Sequence, residues 1–239
     1  MGSMQVILTP AQGKKLIARA VLAREDVQTA AREHTLVVVA GSTNAPIAYG
    51  LLQAMGCGED FSPEGFLRGA IRPAPKQAVP FMGDVVIEKG VYQKGKTVLD
   101  VAASLGKGDM ILKGANAVDL QTGETAVLIG SPVLGTAGGI LPAVVGRGAA
   151  LLVPVGVEKR IFGLADACRR ANAPGHTGPG LLPLPGEAVT EPAALRALFG
   201  VEATLVAAGG IDGFEGAAVF SVTGEAQALG RCRALLAEL

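Results

Sequence analysis

The sequence predicts an α/β protein with an open, mostly parallel, Rossmann-like sheet, helices on both faces and a small C-terminal α+β subdomain. Short β-branched and aliphatic runs at residues 36–40 and 149–155 are typical of strands buried on both faces. A loop of small residues follows the first run and charged residues follow the second, and a helical pattern comes after each, as in β-α-β units. We expect an α/β ligand-binding core at residues 5–172 and a lid or dimerisation subdomain at residues 180–239.

The composition favours a globular protein with a substantial core. Hydrophobic residues make up 49% of the 239 residues, and 21 basic side chains balance 21 acidic ones. The sequence has no stripe of basic residues, so a nucleic-acid partner is not expected. Gly and Pro interrupt the apolar runs before the roughly 20 residues that a membrane span needs, so no membrane partner is expected. Scattered cysteines and a start without a secretory-signal pattern predict a cytoplasmic location.

Elements of the first half follow from capping and periodicity. Thr9, Pro10 and Gln12 form a helix-start pattern, and the helix is expected to continue to about residue 33. Prolines at four positions oppose long regular elements within residues 57–80. The other predictions are a strand at 36–40, a helix at 47–55, a short strand near 66–71, and strands at 85–87 and 98–101.

In the second half, strands and helices are predicted to alternate. The terminal part has the order β-α-β-β-α, which suits a small sheet with helices on one side. The predicted strands are 149–155, 182–189, 203–208 and 217–222, and the predicted helices are 140–145, 162–171, 190–199 and 226–239.

The candidate binding site lies in loops that follow predicted strands, because open parallel sheets bind ligands at the carboxyl ends of their strands. Residues 41–44 place backbone N–H groups and two hydroxyls at a helix start, which suits an anion, although an ordinary capped turn is the alternative. The stretch at 109–119 and the small-residue run at 131–139 supply two more such loops. The predicted substrate-binding residues are Gly41, Ser42, Thr43, Asn44, Gly114, Ala115, Asn116, Gly130, Gly135, Thr136, Gly138, Gly139 and Lys159.

Three residues are weak catalytic candidates within this set of loops. Asp119 is the carboxylate of the 109–119 stretch and can transfer a proton, although it can equally cap a helix or turn. Lys113 and Lys159 can act as acids or bases, or can be solvated surface charges. Asn116 offers a donor and an acceptor to a sugar hydroxyl.

Cofactor and metal sites are not predicted. No Gly-x-Gly-x-x-Gly pattern follows the first predicted strand, so a dinucleotide site is not expected. The His, Cys and carboxylate residues lack metal-ligand spacing. His34 is interpreted as a helix-end residue and His176 as part of a linker, with a role in the site as the alternative for each.

Three segments resemble the superfamily of ribose-5-phosphate isomerase, glucosamine-6-phosphate deaminase and the coenzyme A transferases. Residues 40–45 (Ala-Gly-Ser-Thr-Asn-Ala) resemble its Gly-Ser-Gly-Ser-Thr phosphate loop. Residues 111–119 resemble the Asp-Gly-Ala-Asp-Glu-Ile-Asp segment of the isomerase, and more closely the Gly-Ala-Asn segment of DeoR-type sensor domains and lactate-utilisation proteins. Residues 151–159 resemble a shared strand that ends in a lysine. The resemblance implies a Rossmann-like fold that binds a phosphorylated metabolite.

The same alignment replaces the catalytic carboxylates of the isomerase. Lys113, Asn116 and Ala117 stand where that enzyme has Asp, Asp and Glu, and an amide cannot serve as its proton-transferring base. A coenzyme A transferase needs a nucleophilic Glu, for which Glu124 and Glu158 are weak candidates. We therefore expect a homo-oligomeric protein that binds a small sugar-phosphate-like metabolite. It is either an isomerase- or lyase-type enzyme or a non-catalytic sensor or regulatory subunit.

Overall fold

The computed structural model of the protein describes residues 1–71 and 79–239 and has a mixed α/β fold. Part of the predicted irregular segment at 57–80 therefore lies outside the described residues. The helices are α1 (Pro10–Leu22), α2 (Glu25–Glu33), α3 (Ala45–Ala54), α4 (Val98–Val101), α5 (Gly135–Leu141), α6 (Leu164–Ala171), α7 (Glu191–Phe199) and α8 (Ala226–Leu236). The strands are β1 (Gly2–Leu8), β2 (Thr35–Val38), β3 (Val85–Glu88), β4 (Val91–Tyr92), β5 (Met110–Leu112), β6 (Ala117–Asp119), β7 (Thr125–Ile129), β8 (Ala150–Pro154), β9 (Arg160–Ile161), β10 (Gly180–Leu184), β11 (Glu187–Val189), β12 (Glu202–Ala208) and β13 (Ala218–Gly224).

The central sheet is mixed, with the strand order β11-β8-β5-β2-β3-β4. Its first four strands are parallel, with Val37 opposite Ile111 and Ile111 opposite Leu151. Strand β3 returns antiparallel to β2 and forms a hairpin with β4. The predicted α/β class is confirmed, and the parallel strands are accompanied by an antiparallel edge.

Both faces of the central sheet are buried. Because successive side chains of a strand point to opposite faces, Leu36 and Val38 pack with α1, α2 and α3, whereas Val37 packs with α4 and α5. All three side chains are fully buried. The continuous apolar run of β2 is thus buried on both faces of the sheet, as its composition predicts.

A second, four-stranded sheet has the order β10-β7-β6-β9. Strands β10, β7 and β6 are antiparallel, and β6 is parallel to β9. The amphipathic helix α6 covers it through Leu164 and Cys168. This sheet carries the carboxyl-terminal half of the 109–119 stretch.

The third sheet joins the two ends of the chain in the order β1-β13-β12. Helices α7 and α8 pack on it around Phe220 and Cys232, which are fully buried. The sheets do not divide at the predicted boundary, because β10 and β11 belong to the other two sheets. Strand β1 completes the third sheet. It was not predicted, because its mostly exposed side chains give little apolar signal.

Some predicted elements need correction. Residues 98–101 form helix α4 rather than a strand, because Thr97 and Asp100 make a capping box at its start. Residues 66–71 contain no strand. The helix expected from residue 9 to about 33 is divided into α1 and α2, and its predicted capping box at Thr9 and Gln12 is confirmed. In the described ranges, no helix is long and apolar enough to cross a membrane.

Candidate functional site

A cavity of about 750 Å³ lies at the carboxyl ends of the parallel strands β2 and β5, beside β7 and the starts of α3 and α5. Most of the predicted site residues line it, together with Ser131 of the predicted 131–139 loop and Arg68, which the sequence did not single out for the site. The predicted residues in its wall are Gly41, Ser42, Thr43, Asn44, Lys113, Gly114, Ala115, Asn116, Gly130, Gly135, Thr136 and Lys159.

The first wall of the cavity is the loop at residues 41–44. Asn44 is buried, and its side-chain amide donates to the carbonyls of Val39 at 2.8 Å and Leu112 at 3.1 Å. This cross-link ties the loop to the ends of β2 and β5, directly before α3. The backbone N–H groups of residues 41–43 find no acceptor in the described chain. They are therefore free to donate to a bound anion.

Two lysines from distant parts of the chain contact the hydroxyls of this loop. Lys159, just after β8, donates from Nζ to Thr43 Oγ1 at 3.1 Å. Lys14 of α1 donates to Ser42 Oγ at 3.2 Å. Burial lowers the pKa of Lys159 and nearby Lys14 lowers it too, while Glu158 and Glu191 act in the opposite direction. The loop thus holds two cations beside unpaired backbone N–H groups.

Lys113 forms a deeper part of the wall, at the end of β5. Its side chain is 7% exposed, and Nζ donates to Thr136 Oγ1 at 3.2 Å. Burial, together with the nearby Arg68 charge, lowers its pKa to about 8, and Asp84 acts in the opposite direction. The alternative interpretation of Lys113 as a solvated residue is therefore wrong.

Arg68, which lies in the cavity wall, and Asp84, which supports it, were not singled out in the sequence. The Arg68 guanidinium lies 3.7 Å from the Asp84 carboxylate and 4.7 Å from the ring centroid of Phe81. Asp84 is fully buried and accepts hydrogen bonds from the Ala40 and Val98 amides at 2.8 and 2.7 Å. Arg68 lies where a short strand was predicted near residues 66–71, and nothing in the sequence placed this segment beside the cavity.

One of the two polar side-chain atoms of Asn116 is hydrogen-bonded within the fold. Its Oδ1 accepts a hydrogen bond from the Leu128 amide at 3.0 Å, which fixes β7 against the Gly114–Asn116 turn. Its Nδ2 has no acceptor within the described ranges and can donate to a ligand. Of the predicted donor and acceptor, the acceptor therefore already has one partner, and the donor has none among the described residues.

Asp119 does not line the cavity. Its carboxylate accepts hydrogen bonds from the amides of Gln121, Gly163 and Leu164, at 3.0, 2.9 and 3.2 Å. These N–H groups, with Gln121 first, lower the pKa of Asp119 against the effect of burial. Asp119 is the capping residue of α6, which was the alternative interpretation.

Gly138 and Gly139 also lie outside the cavity wall. A Cβ on Gly138 would lie 2.8 Å from Leu134 Cβ and from the Val133 carbonyl oxygen. A Cβ on Gly139 would lie 2.4 Å from Leu99 Cδ2. These glycines allow close packing of α5 against its neighbours, so their role in the described fold is steric.

A second hollow, of about 700 Å³, lies at the amino ends of the parallel strands. Its charged groups are largely paired with one another. Arg24 pairs with Asp26 and Glu187, and Asp109 accepts from the amides of Thr35 and Gly106. His34 lines this hollow, away from the first cavity. The contrast favours the first cavity as the candidate functional site.

The charge of the first cavity is one-sided. Arg68, Lys113 and Lys159 line it, and no Asp or Glu does so among residues 1–71 and 79–239. Residues 72–78 contain no acidic residue either. Over the same described ranges, no three His, Cys, Asp or Glu side chains are grouped so as to hold a metal ion. The arrangement suits an anion.

Comparisons with protein-family models, with curated proteins and with solved structures found no match for this chain.

Proposed function

We propose that this protein binds a small phosphorylated, sugar-phosphate-like metabolite in the cavity at the carboxyl ends of the parallel strands. The proposal rests on the positive charge of the cavity wall. Three cationic side chains line the cavity and no described carboxylate does, although the whole chain has a formal net charge of zero. A phosphate satisfies several donors at once, and charge-assisted hydrogen bonds are stronger than neutral ones.

The 41–44 loop is the proposed phosphate subsite. Its unpaired backbone N–H groups precede α3, so the helix dipole adds to the attraction for an anion. Lys159 and Lys14 already contact its hydroxyls and provide counter-charge. Asn116 Nδ2, on the other side of the cavity, is the proposed donor to a sugar hydroxyl.

We further propose that the parallel part of the central sheet is Rossmann-like and that the chain is a branch of the sugar-phosphate isomerase superfamily. Four adjacent parallel strands support this, because ligands of such sheets bind beyond the carboxyl ends of the strands. The loop after β2 and the turn after β5, which carry the sequence resemblance, line the same cavity.

The alternative function is a non-catalytic sensor or regulatory subunit with the same ligand. The lack of a cavity carboxylate among the described residues favours this alternative over a carboxylate-based isomerase. For an isomerase- or lyase-type enzyme, Lys113 is the best placed acid or base, because it is buried in the wall and has a lowered pKa.

A thermal-shift titration with ribose 5-phosphate, glycerol 3-phosphate, acetyl-coenzyme A and inorganic phosphate tests the proposal. At about 100 times Kd a ligand stabilises by about 2.7 kcal/mol, or roughly 5–10 °C for a chain of this size. Lys159→Met should abolish the shift, whereas Lys107→Met, at an exposed lysine remote from the cavity, should retain it. If none of these anions shifts Tm, or if both variants respond equally, the proposed site is wrong.

A further inference from the structure

Lys113 is more buried than Arg68 and Lys159, the other cations of the cavity wall, and it has no counter-ion among the described residues. Its side chain is 7% exposed, and its Nζ contacts the neutral hydroxyl of Thr136. Within residues 1–71 and 79–239 it forms no ion pair, and residues 72–78 contain no acid that could provide one. A buried ammonium without a counter-ion is costly, and the neutral amine avoids this cost.

The neighbouring Arg68 strengthens this preference for a neutral amine. Arg68 is held in position by Asp84 and Phe81, and its guanidinium places a positive charge in the cavity wall. Its positive charge and the burial of Lys113 both favour loss of the Lys113 proton, while Asp84 partly offsets them. With a pKa of about 8, an appreciable fraction of Lys113 is unprotonated near neutral pH.

The lysines contact different walls of the cavity region. Lys159 and Lys14 contact the hydroxyls of the proposed phosphate loop. Lys113 lies at the end of a different strand, beside Thr136 at the start of α5. A neutral lysine in an apolar setting is a nucleophile, and lysine amines that attack carbonyl carbons are activated in this way.

We propose that Lys113 is a nucleophile that forms an imine with the carbonyl carbon of a phosphorylated aldehyde or ketone. The proposal rests on the proposed function, since the phosphate loop must hold the substrate. The Nζ lone pair forms the C–N bond while the carbonyl π electrons move to oxygen, and one of the two protons of the neutral amine passes to that oxygen to give the carbinolamine. The nitrogen lone pair then forms the C=N bond as the C–O bond breaks, and the hydroxyl leaves with the second Nζ proton as water.

Thr136 is the proposed positioning residue for this step. Its hydroxyl accepts a hydrogen bond from Lys113 Nζ and so directs the amine. Once the proton of Nζ is lost, the same hydroxyl can donate to the carbinolamine oxygen and assist its departure. Thr136→Val should slow imine formation about tenfold or more, and Thr136→Ser, which keeps the hydroxyl, should restore it.

Reductive trapping tests the proposal. The protein is incubated with dihydroxyacetone phosphate and sodium cyanoborohydride, and the modified lysine is identified by peptide mass mapping. We expect one equivalent of adduct on Lys113, none at that position in Lys113→Arg or Lys113→Met, and undiminished labelling in Lys107→Arg. Trapping should increase as the pH rises through about 8, the region in which Lys113, flanked by Arg68 and Asp84, loses its proton.

Binding of glycerol 3-phosphate, which has no carbonyl group, separates this proposal from the proposed function. If both phosphates shift Tm but Lys113 carries no adduct, the imine proposal is overturned and the binding site stands. Adducts spread evenly over exposed lysines would also overturn it. If neither phosphate binds and no adduct forms, both proposals fail.

Discussion

The buried carboxylate of Asp84 holds the guanidinium of Arg68 at 3.7 Å, on the wall of the cavity. The same carboxylate accepts hydrogen bonds from the amides of Ala40 and Val98. It thereby connects the end of β2 and the start of α4 to the segment that carries Arg68. A single buried side chain thus supports both the fold around the cavity and the position of one of its cations.

Asp84→Ala should destabilise the protein by about 3 kcal/mol or more. Each buried amide left without its acceptor costs about 1–3 kcal/mol, and Arg68 also loses its partner. Urea unfolding measures the change. Glu88→Ala is the matched control, since Glu88 follows in β3 and forms a more exposed pair with Lys96, which is worth about 0–1 kcal/mol. Equal costs for the two variants would contradict the proposed role of Asp84.

Two helical glycines should respond oppositely to alanine. A Cβ on Gly13 of α1 would lie 2.3 Å from Glu191 Oε1, whereas a Cβ on Gly230 of α8 would meet nothing within 4 Å. Alanine is favoured over glycine in a helix by about 1 kcal/mol. Gly230→Ala should therefore raise Tm and Gly13→Ala should lower it. A rise for Gly13→Ala would show that Glu191 can move away without cost.

Glu191 should make the stability depend on pH between about 4.5 and 7. Burial raises its pKa to about 7, although N–H donors, with Val157 first, act in the opposite direction, as does Lys159. Because the folded state binds the proton more tightly than the unfolded state, stability is greatest below 4.5 and decreases as the pH rises through 7. The decrease is about 3 kcal/mol, at 1.36 kcal/mol per pKa unit.

Urea midpoints measured from pH 4.5 to 7.5 check this dependence. In Glu191→Gln the neutral amide keeps an acceptor for the Val157 amide but does not titrate. The slope of stability against pH should therefore be smaller in this variant than in the wild-type protein. Parallel curves for the two proteins would assign the pH dependence to other groups.

Asp119→Ala should affect stability and leave ligand binding unchanged. Loss of the capping carboxylate of α6 should cost about 1–2 kcal/mol. The affinity for glycerol 3-phosphate should stay the same because Asp119 lies outside the cavity wall. Denaturant unfolding and calorimetric titration measure the two effects. A large loss of affinity in a folded variant would restore Asp119 to the site.

The sequence predicted the loops of the site better than the side chains that complete it. The strand at 36–40 and the 41–44 loop are recognisable because burial, strand periodicity and turn composition are local properties. Arg68 and Lys14 reach the cavity region through tertiary contacts that no local pattern encodes. Lys113 resembles an exposed strand-end lysine in sequence, and its burial depends on α5, which begins more than 20 residues later.

Capping residues were also partly ambiguous in the sequence. Thr9 and Gln12 gave a correct helix start because the whole capping box is local. Thr97 and Asp100 form the same motif, but the apolar residues between them were interpreted as a strand, since a four-residue helix has too little periodicity to recognise. Asp119 caps a helix that starts 45 residues later, so its role becomes visible only in the folded chain.

The pairing of β1 with β13 has a consequence for the order in which the chain folds. Leu8 pairs with Ala218, so about 210 residues of chain must be closed into a loop before this contact forms. Distant pairings of this kind form slowly, because the entropy of closing the loop is lost before the contact is gained. During synthesis β1 is made before the other described elements, and β13 becomes available only after most of the described fold has left the ribosome. The central sheet can assemble earlier, so the pairing of β1 with β13 is expected to be the last step of folding.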